Sequence, residues 1–275
     1  MMSGPIVVER SELASIAALR EAHRRSASCQ IVRDSMLPRG LAEPWAVFLD
    51  GGLVGYAGLW VEHFPGRLME LVLSPSVEGR APSLLAAVAD ATGAREMECQ
   101  TNLPLLHGLF RRFVKDSTTE HLLFEDDPDS PSVAGASEAW TFRARRPRDG
   151  AVATVVPEGP WVVEEAGRIV AAGGILTHYN PPYADLYLEV VPDLRGQGVG
   201  RFLVRELRRV AKESGLVPAA RCDPGNEASR RALTAGGMRS CGALLSGRIT
   251  RPYRRDGIPS RPAPGGLGAS PREES

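Results

Sequence analysis

Short apolar and β-branched runs alternate along the chain with segments of helical periodicity, and the same succession occurs twice. Residues 45–60 and 161–176 are equal in length. Each segment has an apolar run, a turn that contains a glycine (Gly51, Gly167) and a second run of small and apolar residues. Both segments therefore predict a β-hairpin.

A strand and then a helix follow each hairpin. Residues 68–75 and 185–192 predict strands that end in a proline, and residues 83–92 and 199–214 predict the helices after them. The second helix has the clearer amphipathic pattern, and Gly215 is placed to end it.

Each repeat then continues with a second strand, a second helix and a last strand. Short strands over 96–102 and 219–226 end in Asn102 and Asn226, which we expect to cap the next helices. The remaining predicted elements are helices over 103–114 and 227–235 and final strands over 119–124 and 243–250.

These repeats predict a mixed α+β fold of two tandem domains, each with a mostly antiparallel central sheet flanked by helices. A further helix is predicted over 11–25, with Ser11 as its N-cap. Residues 125–137 have the Pro, Ser, Asp and Gly content of a linker. We therefore expect a first domain at 1–135, a second at 136–255 and a disordered tail at 256–275.

Composition limits the classes of function. The 33 basic and 33 acidic residues give a formal net charge of zero, so the chain has no overall attraction to nucleic acid. No apolar run approaches the roughly 20 residues that span a bilayer, and the N-terminus lacks a secretory pattern, so we expect a cytoplasmic protein without a membrane partner. The four cysteines lie at no metal-ligand spacing and are expected to be free thiols. We expect no metal.

The segment 190–204 leaves a β-branched run, passes Gly196, Gly198 and Gly200, and starts at once on a helix. Such a turn presents backbone N–H groups at a helix N-terminus, where partial positive charge favours an anion such as phosphate. Glycine allows close approach and positive φ. The spacing has neither the Lys-Ser/Thr ending of the P-loop nor the Gly-x-Gly-x-x-Gly pattern of dinucleotide sites.

Arg195-x-x-Gly198-x-Gly200 instead resembles the Arg/Gln-x-x-Gly-x-Gly/Ala signature of the GNAT superfamily, the Gcn5-related N-acetyltransferases. The preceding strand, the amphipathic helix and the helix opened by Asn226 follow in that family's order. The resemblance covers about residues 160–250 closely and the first half in outline. It implies that residues 195–201 hold the pyrophosphate of acetyl-CoA and that the strand edge before them pairs with the pantetheine arm. The implied cofactor-binding residues are Val190, Val191, Arg195, Gly196, Gln197, Gly198, Val199, Gly200, Arg201, Asn226 and Ser229.

The first half lacks this anion site. Aligning the prolines that end the two strands sets a glycine-poor segment opposite residues 195–200, with Ala81 and Ser83 in place of two glycines. Pro82 removes an N–H donor, and Glu78 puts a carboxylate where the signature has a cation. We therefore predict a degenerate half that does not bind coenzyme A. It either shapes the substrate cleft or only covers apolar surface.

Polar side chains share one face of the strand before the glycine turn, because side chains alternate along a strand. Asp185, Tyr187 and Glu189 lie on this face, and we expect the face to line a solvated cleft, since unpaired buried carboxylates are costly. Acetyl transfer to an amine needs a base that removes the ammonium proton, and Glu189 or Asp185 could act so. His178, in the loop before the strand, is a further candidate for this base.

A second proton must reach the thiolate that leaves. In the family a helix tyrosine commonly supplies it, but the matching position holds Leu233. The candidates for the acid are then Tyr187, Tyr183, Tyr179 or solvent. Only two of the 33 basic residues are lysines, so arginine is common throughout the chain and a single arginine is weak evidence for a phosphate site. Of the arginines near the glycine turn, only Arg195 and Arg201 are predicted to bind the cofactor, because of their positions in the turn.

The sequence therefore predicts an acetyl-CoA-dependent N-acetyltransferase that transfers an acetyl group to the amine of a small molecule by direct attack in a ternary complex. Two alternatives stay open: a non-catalytic acyl-CoA-binding or regulatory module, and an acetyltransferase of protein N-termini. Cys222 is the one residue that would argue for an acyl-enzyme. The identity of the amine and the oligomeric state, including a homodimer, are not decided by the sequence.

Overall fold

The computed structural model describes residues 4–31, 34–130, 139–149, 159–178 and 181–250. The strands are β1 Ile6–Arg10, β2 Ala42–Leu49, β3 Gly52–Trp60, β4 Arg67–Leu73, β5 Glu96–Gln100, β6 Val114–Asp126, β7 Thr141–Ala144, β8 Trp161–Glu165, β9 Arg168–Leu176, β10 Tyr183–Val190, β11 Val217–Cys222 and β12 Met238–Ile249. The α-helices are α1 Ala17–Arg24, α2 Ala81–Thr92, α3 Pro104–Phe113, α4 Val199–Glu213 and α5 Glu227–Ala235.

The twelve strands of the described residues form one sheet in the order β1-β2-β3-β4-β5-β12-β6-β11-β10-β9-β8-β7. Two neighbouring pairs are parallel, β4 with β5 and β10 with β11, and the other pairs are antiparallel. The predicted α+β class is therefore confirmed. The two predicted hairpins are β2–β3 and β8–β9, because a two-residue turn that includes Gly51 or Gly167 at positive φ joins each pair.

Two α-helices cover one face of the sheet in each half. In the first half, α2 and α3 pack their apolar sides on the strands through a cluster that includes Leu84, Leu85 and Phe110. In the same half, α1 and the turn before it pack on the opposite face, in a separate cluster with Tyr56 and Trp60. In the second half, Leu203 and Leu207 of α4 belong to the corresponding cluster with residues of β8, β9 and β10. The apolar spacing that predicts α4 thus marks the side that faces the sheet.

Each parallel pair opens into a fork. The strands β4 and β5 pair only at Arg67 and Leu68, and β10 and β11 pair only from Tyr183 to Asp185. Beyond these points β10 continues to Val190 without a partner on that side, and β11 pairs with β6 on its other side. We call these openings the first fork and the second fork, and Leu68 and Asp185 stand at their apices.

The last strands of the two halves are exchanged. The first half's last strand, β6, lies between β12 and β11 of the second half, and the second half's last strand, β12, lies between β5 and β6 of the first. The prediction that each final strand closes its own half is therefore wrong. Alternation along a strand identifies the strand but leaves its partner undetermined.

Several local predictions differ from the structure. Ser11 is not an N-cap, because its hydroxyl donates to the carbonyl of Glu12 and α1 begins only at Ala17, after a 3₁₀ turn. Asn102 does not cap α3, since its amide donates to the carbonyl of Ser28 at 2.7 Å. The strand β6 runs to Asp126 and takes the first residues of the expected linker. Residues 256–275, expected as a disordered tail, lie outside the described residues.

The cysteines behave as expected from the sequence. All four are free, and Cys29, Cys99 and Cys222 are buried, whereas Cys241 is partly exposed. The described residues contain no cluster of three or more His, Cys, Asp or Glu side chains that could hold a metal ion. Within the same ranges, no helix combines the length and apolar character that crossing a bilayer requires.

Candidate functional site

The turn between β10 and α4 has two left-handed glycines. A short 3₁₀ turn, Pro192–Leu194, follows the strand, and then Gly196 has φ +80° and Gly198 has φ +97°. Gly198 is also the N-cap of α4. Side-chain-bearing residues rarely adopt such φ values, so the sequence needs glycine here.

This turn aims donors of the helix N-terminus outward. The first helical hydrogen bond of α4 runs from the N–H of Phe202 to the carbonyl of Gly198, at 3.0 Å. The N–H groups of the preceding first turn have no partner inside the helix. Together with the positive end of the helix dipole, they form an anion site.

Gly200 brings α4 close to α5. A Cβ added there would lie 3.3 Å from the Cβ of Ala232 and 3.7 Å from side-chain atoms of Leu188 and Val190. A Cβ on Gly198 would lie 3.5 Å from the Trp140 ring. A side chain at Gly200 would therefore crowd the space between α4, β10 and α5, whereas at Gly198 the contact is an ordinary one and the positive φ is what requires glycine.

A cavity of about 690 Å³ opens at this place. Ten residues predicted from the sequence line it: Glu189, Val190, Arg195, Gly196, Gln197, Gly198, Gly200, Arg201, Asn226 and Ser229. Asn226 also caps α5, because its side-chain oxygen accepts from the N–H of Ser229 at 2.9 Å. The predicted cap is thus confirmed, and the cap fixes the start of α5 beside the glycine turn.

Two of the predicted cofactor-binding residues do not line the cavity, and the predicted catalytic residues Asp185, Tyr187, Tyr183 and His178 are not among its lining residues either. Of the polar face of β10, which the sequence predicts to line a solvated cleft, only Glu189 does so, because Asp185 is buried at the apex of the fork. Val191 is buried and its N–H donates to the carbonyl of Val170, while Val199 is buried in the core below α4. The sequence interpretation also missed lining residues, namely Leu188, Leu194, Ala228, Arg231, Ala232 and Ala235. The small residues among them recur at helical spacing along α5, and that spacing is a signal that could have revealed the wall.

The arginines at the mouth of the cavity differ in whether they pair with a carboxylate. Arg195 donates to the Glu189 carboxylate at 2.6 Å and to the Val190 carbonyl at 3.1 Å. Arg231 pairs with Glu227 on its own helix. Arg201 forms no ion pair with any residue of the described ranges and is exposed, so its charge is available to an anion at the turn.

Asp185 stands at the apex of the second fork. Its carboxylate lies 3.4 Å from Nε of Arg221 on β11, and the residue is 4% exposed. Burial raises the pKa of Asp185 to about 6, and the positive charge of Arg221 opposes this shift. A carboxyl that ionises near neutral pH is suited to proton transfer.

The two tyrosines of β10 have different surroundings. Burial raises the pKa of both, and for Tyr187 the charge of Arg145 opposes this shift. The Tyr187 ring lies across Gly174 of β9, where an added Cβ would meet the hydroxyl at 2.6 Å. The Tyr183 hydroxyl instead donates to the carbonyl of Ala27 in the first half, at 3.2 Å.

The other candidates lie apart from the cavity. His178 is exposed at the end of a described range, and Tyr179 lies outside the described residues. Leu233 is buried in the core of the second half. Cys222 is buried too, and burial raises the pKa of its thiol, which disfavours the nucleophilic thiolate.

The turn after β4 has a different backbone. A 3₁₀ helix, Pro75–Arg80, leads directly into α2, and no residue from 75 to 92 has a positive φ. Pro82 occupies the first turn of α2 and has no N–H to donate. The N–H of Ala81 donates to the carbonyl of Glu78, so this turn offers fewer outward donors than its second-half counterpart.

Comparison with known proteins finds a family that resembles the region of this site. Residues 119–236 match the sequence profile of the Acetyltransferase (GNAT) family. No curated protein sequence matches the chain.

Solved structures extend the likeness to both halves. An acetyltransferase of the GNAT family from Colwellia psychrerythraea aligns with a TM-score of 0.69 at 16% identity, over 90% of this chain and 100% of its own. A GCN5-related N-acetyltransferase from Sphaerobacter thermophilus gives 0.58 at 15%, over 89% and 96%. A tandem GNAT protein from the clavulanic acid biosynthesis pathway gives 0.57 at 11%, over 89% and 98%. At these identities the likeness establishes a shared fold.

Proposed function

We propose that this chain, which belongs to the GNAT acetyltransferase superfamily, is an acetyl-CoA-dependent N-acetyltransferase that acts on the amine of a small molecule through its second half. The observation that carries the proposal is the left-handed glycine turn at the N-terminus of α4. It faces a cavity bounded by the open edge of β10, and Asp185 lies at the apex of the same fork.

The cavity residues suit coenzyme A. The N–H groups of the α4 first turn and Arg201 would hold the diphosphate, and the unpaired edge of β10 at residues 186–190 would hold the extended pantetheine arm. Both Gly198 and Gly200 line this space; glycine is needed at 198 for its positive φ and at 200 because a Cβ there would lie 3.3 Å from Ala232. When bound, acetyl-CoA supplies an acetyl group activated as a thioester.

Asp185 is the base that the surroundings favour. An amine attacks only when neutral, so a group must take its ammonium proton, directly or through water. Asp185 has a pKa of about 6 and lies where the fork begins. Glu189, the other carboxylate of this strand, is engaged by Arg195 at 2.6 Å. We therefore propose that Asp185, rather than Glu189, accepts the ammonium proton of the amine.

Tyr187 is the acid that we favour for the leaving thiolate. It is on the same face of β10 as Asp185, whereas the Tyr183 hydroxyl already donates to Ala27. Because Cys222 is buried with a raised pKa, direct transfer fits better than an acyl-enzyme. Replacing Cys222 by alanine is accordingly expected to leave turnover nearly intact.

The first half would shape the acceptor side of the fork. Its residues 27–31, which we call the strap, contact strands of both halves: the Cys29 thiol donates to the carbonyl of Phe124 on β6 at 3.3 Å and to that of Ala220 on β11, in the second half, at 3.8 Å. The pKa of the buried Cys29 thiol is raised mainly by its hydrogen bond with Cys241 and by burial, and to a smaller extent by the charge of Asp185. The strap thus covers the apex of the second fork beside the proposed base.

A thiol-release assay with acetyl-CoA and a library of small amines tests this function. We expect turnover on at least one amine and none without an amine. A non-catalytic coenzyme A-binding module is the second candidate, favoured by the buried Leu233 at the position where the family commonly has its acid. Coenzyme A binding in calorimetry, with no turnover on any small amine or peptide N-terminus, would support that candidate instead.

A further inference from the structure

Arg195 bridges two acceptors at the mouth of the cavity. Its Nε donates to the carbonyl of Val190 at 3.1 Å, and its Nη2 donates to the Glu189 carboxylate at 2.6 Å. All three residues line the cavity. The Arg195 and Glu189 side chains are 54% and 35% exposed, so the guanidinium has room to move.

These two bonds use groups that a bound cofactor would need. The Val190 carbonyl belongs to the edge of β10 that has no partner strand beyond Asp185. Arg195 is also the cation of the glycine turn, and a guanidinium prefers a bidentate phosphate partner to a single carboxylate oxygen. In the described structure both the strand edge and the cation are occupied by internal contacts.

We propose that Glu189 is an affinity-setting residue that latches Arg195 across the cavity mouth, so that the cofactor diphosphate must draw Arg195 away before the Val190 edge is open. This rests on the proposed use of coenzyme A. Glu189 then acts as an internal competitor of the diphosphate. The first half has no such latch, because Val72 aligns with Glu189 and Glu78 aligns with Arg195.

Calorimetric titration with coenzyme A tests the latch without any turnover. We expect E189Q to bind coenzyme A about two- to fivefold more tightly than the parent, which is the upper part of the range of an exposed ion pair. Glutamine keeps the size of the side chain and removes its charge. R195M is expected to bind more weakly than the parent because it loses the cation.

Removal of a nearby negative charge would also favour an anion, so two comparisons separate the latch from simple repulsion. The first is R195M/E189Q against R195M: without Arg195 there is nothing to release, and we expect no gain from E189Q. The second is D193N, which removes another carboxylate beside the same turn. The Asp193 carboxylate pairs with Arg168 at 2.7 Å and does not hold Arg195. We expect less than a twofold change from D193N.

Three results would overturn the latch while leaving the proposed cofactor intact. They are an unchanged or weaker affinity of E189Q, an equal gain from E189Q in the R195M background, and a gain from D193N equal to that from E189Q. Failure of the parent chain to bind coenzyme A would overturn the proposed cofactor and the latch together. Circular dichroism of each variant checks that the fold is kept.

Discussion

The two forks of the sheet have the same construction and different contents. Each begins where a parallel strand pair ends, after one last paired residue, Leu68 in the first fork and Asp185 in the second. Leu68 is fully buried in the apolar core, whereas Asp185 carries a carboxyl with a pKa raised to about 6 by burial. The apex position is thus apolar in one half and ionisable in the other.

The turns beyond the apices differ in the same sense. The second turn has Gly196 and Gly198 at positive φ and leads into α4 with free donors, whereas the first is a 3₁₀ helix that runs into α2. The fork that is suited to an anion and the fork that is not therefore differ at only a few positions of the turn. Fold alone does not determine function, since both halves share the fold and only one has these groups.

Replacing Asp185 at the apex of the second fork by asparagine is expected to give the largest loss of activity. D185N removes the proposed base, and we expect kcat/KM for a responsive amine to fall by about 10²–10⁴, the usual contribution of a general base. Coenzyme A affinity should stay within twofold. The control is D90N on the exposed side of α2, which should behave like the parent. Retention of more than a tenth of the activity by D185N would contradict the assignment.

Replacing the glycines of the second turn should remove its affinity for the cofactor, which we predict that the first turn lacks. We expect G198V/G200V to weaken coenzyme A binding by about 100-fold or more, because position 198 needs φ +97° and a Cβ at 200 lies 3.3 Å from Ala232. Calorimetry measures the loss. The matched control is G79V in the first turn, where an added Cβ meets nothing within 4 Å and φ is not positive. Equal coenzyme A affinity of G198V/G200V and G79V would contradict the proposed anion site at the second turn.

The carboxyl at the second apex should also cost stability. Folding raises the pKa of Asp185 from about 3.9 to about 6, so the folded chain favours the neutral form. That stabilisation is complete below about pH 4 and is lost as the pH rises to about 6. D185N cannot ionise, so we expect it to exceed the parent by about 1–3 kcal/mol at pH 7.5, with the difference closing towards pH 4. Urea unfolding at both pH values measures this; a constant difference would contradict it.

Local features of the molecule were predictable from the sequence. The two hairpins, the cap at Asn226 and the helix α5 depend on turn residues and periodicity within a few positions, and the structure has them where the sequence predicts them. The glycine turn was predictable for the same reason. Ten of the residues predicted around it line one cavity because a single short turn and two helix starts hold them.

Features that depend on distant contacts were not predictable. Asn102 and Asn226 follow similar strands, yet Asn102 bonds to Ser28 of the strap instead of capping a helix. The exchange of β6 and β12 follows from strand pairing far along the chain, which alternation cannot specify. The bond between Arg195 and Glu189 also needed the structure, because it depends on how the turn folds back on β10.

The number of coenzyme A molecules bound per chain tests the central claim most directly. Calorimetric titration of the full chain should give one site, located by its loss in G198V/G200V. A stoichiometry of two would show that the first fork also binds the cofactor. No binding at all would remove the basis for assigning acetyl transfer to the second fork.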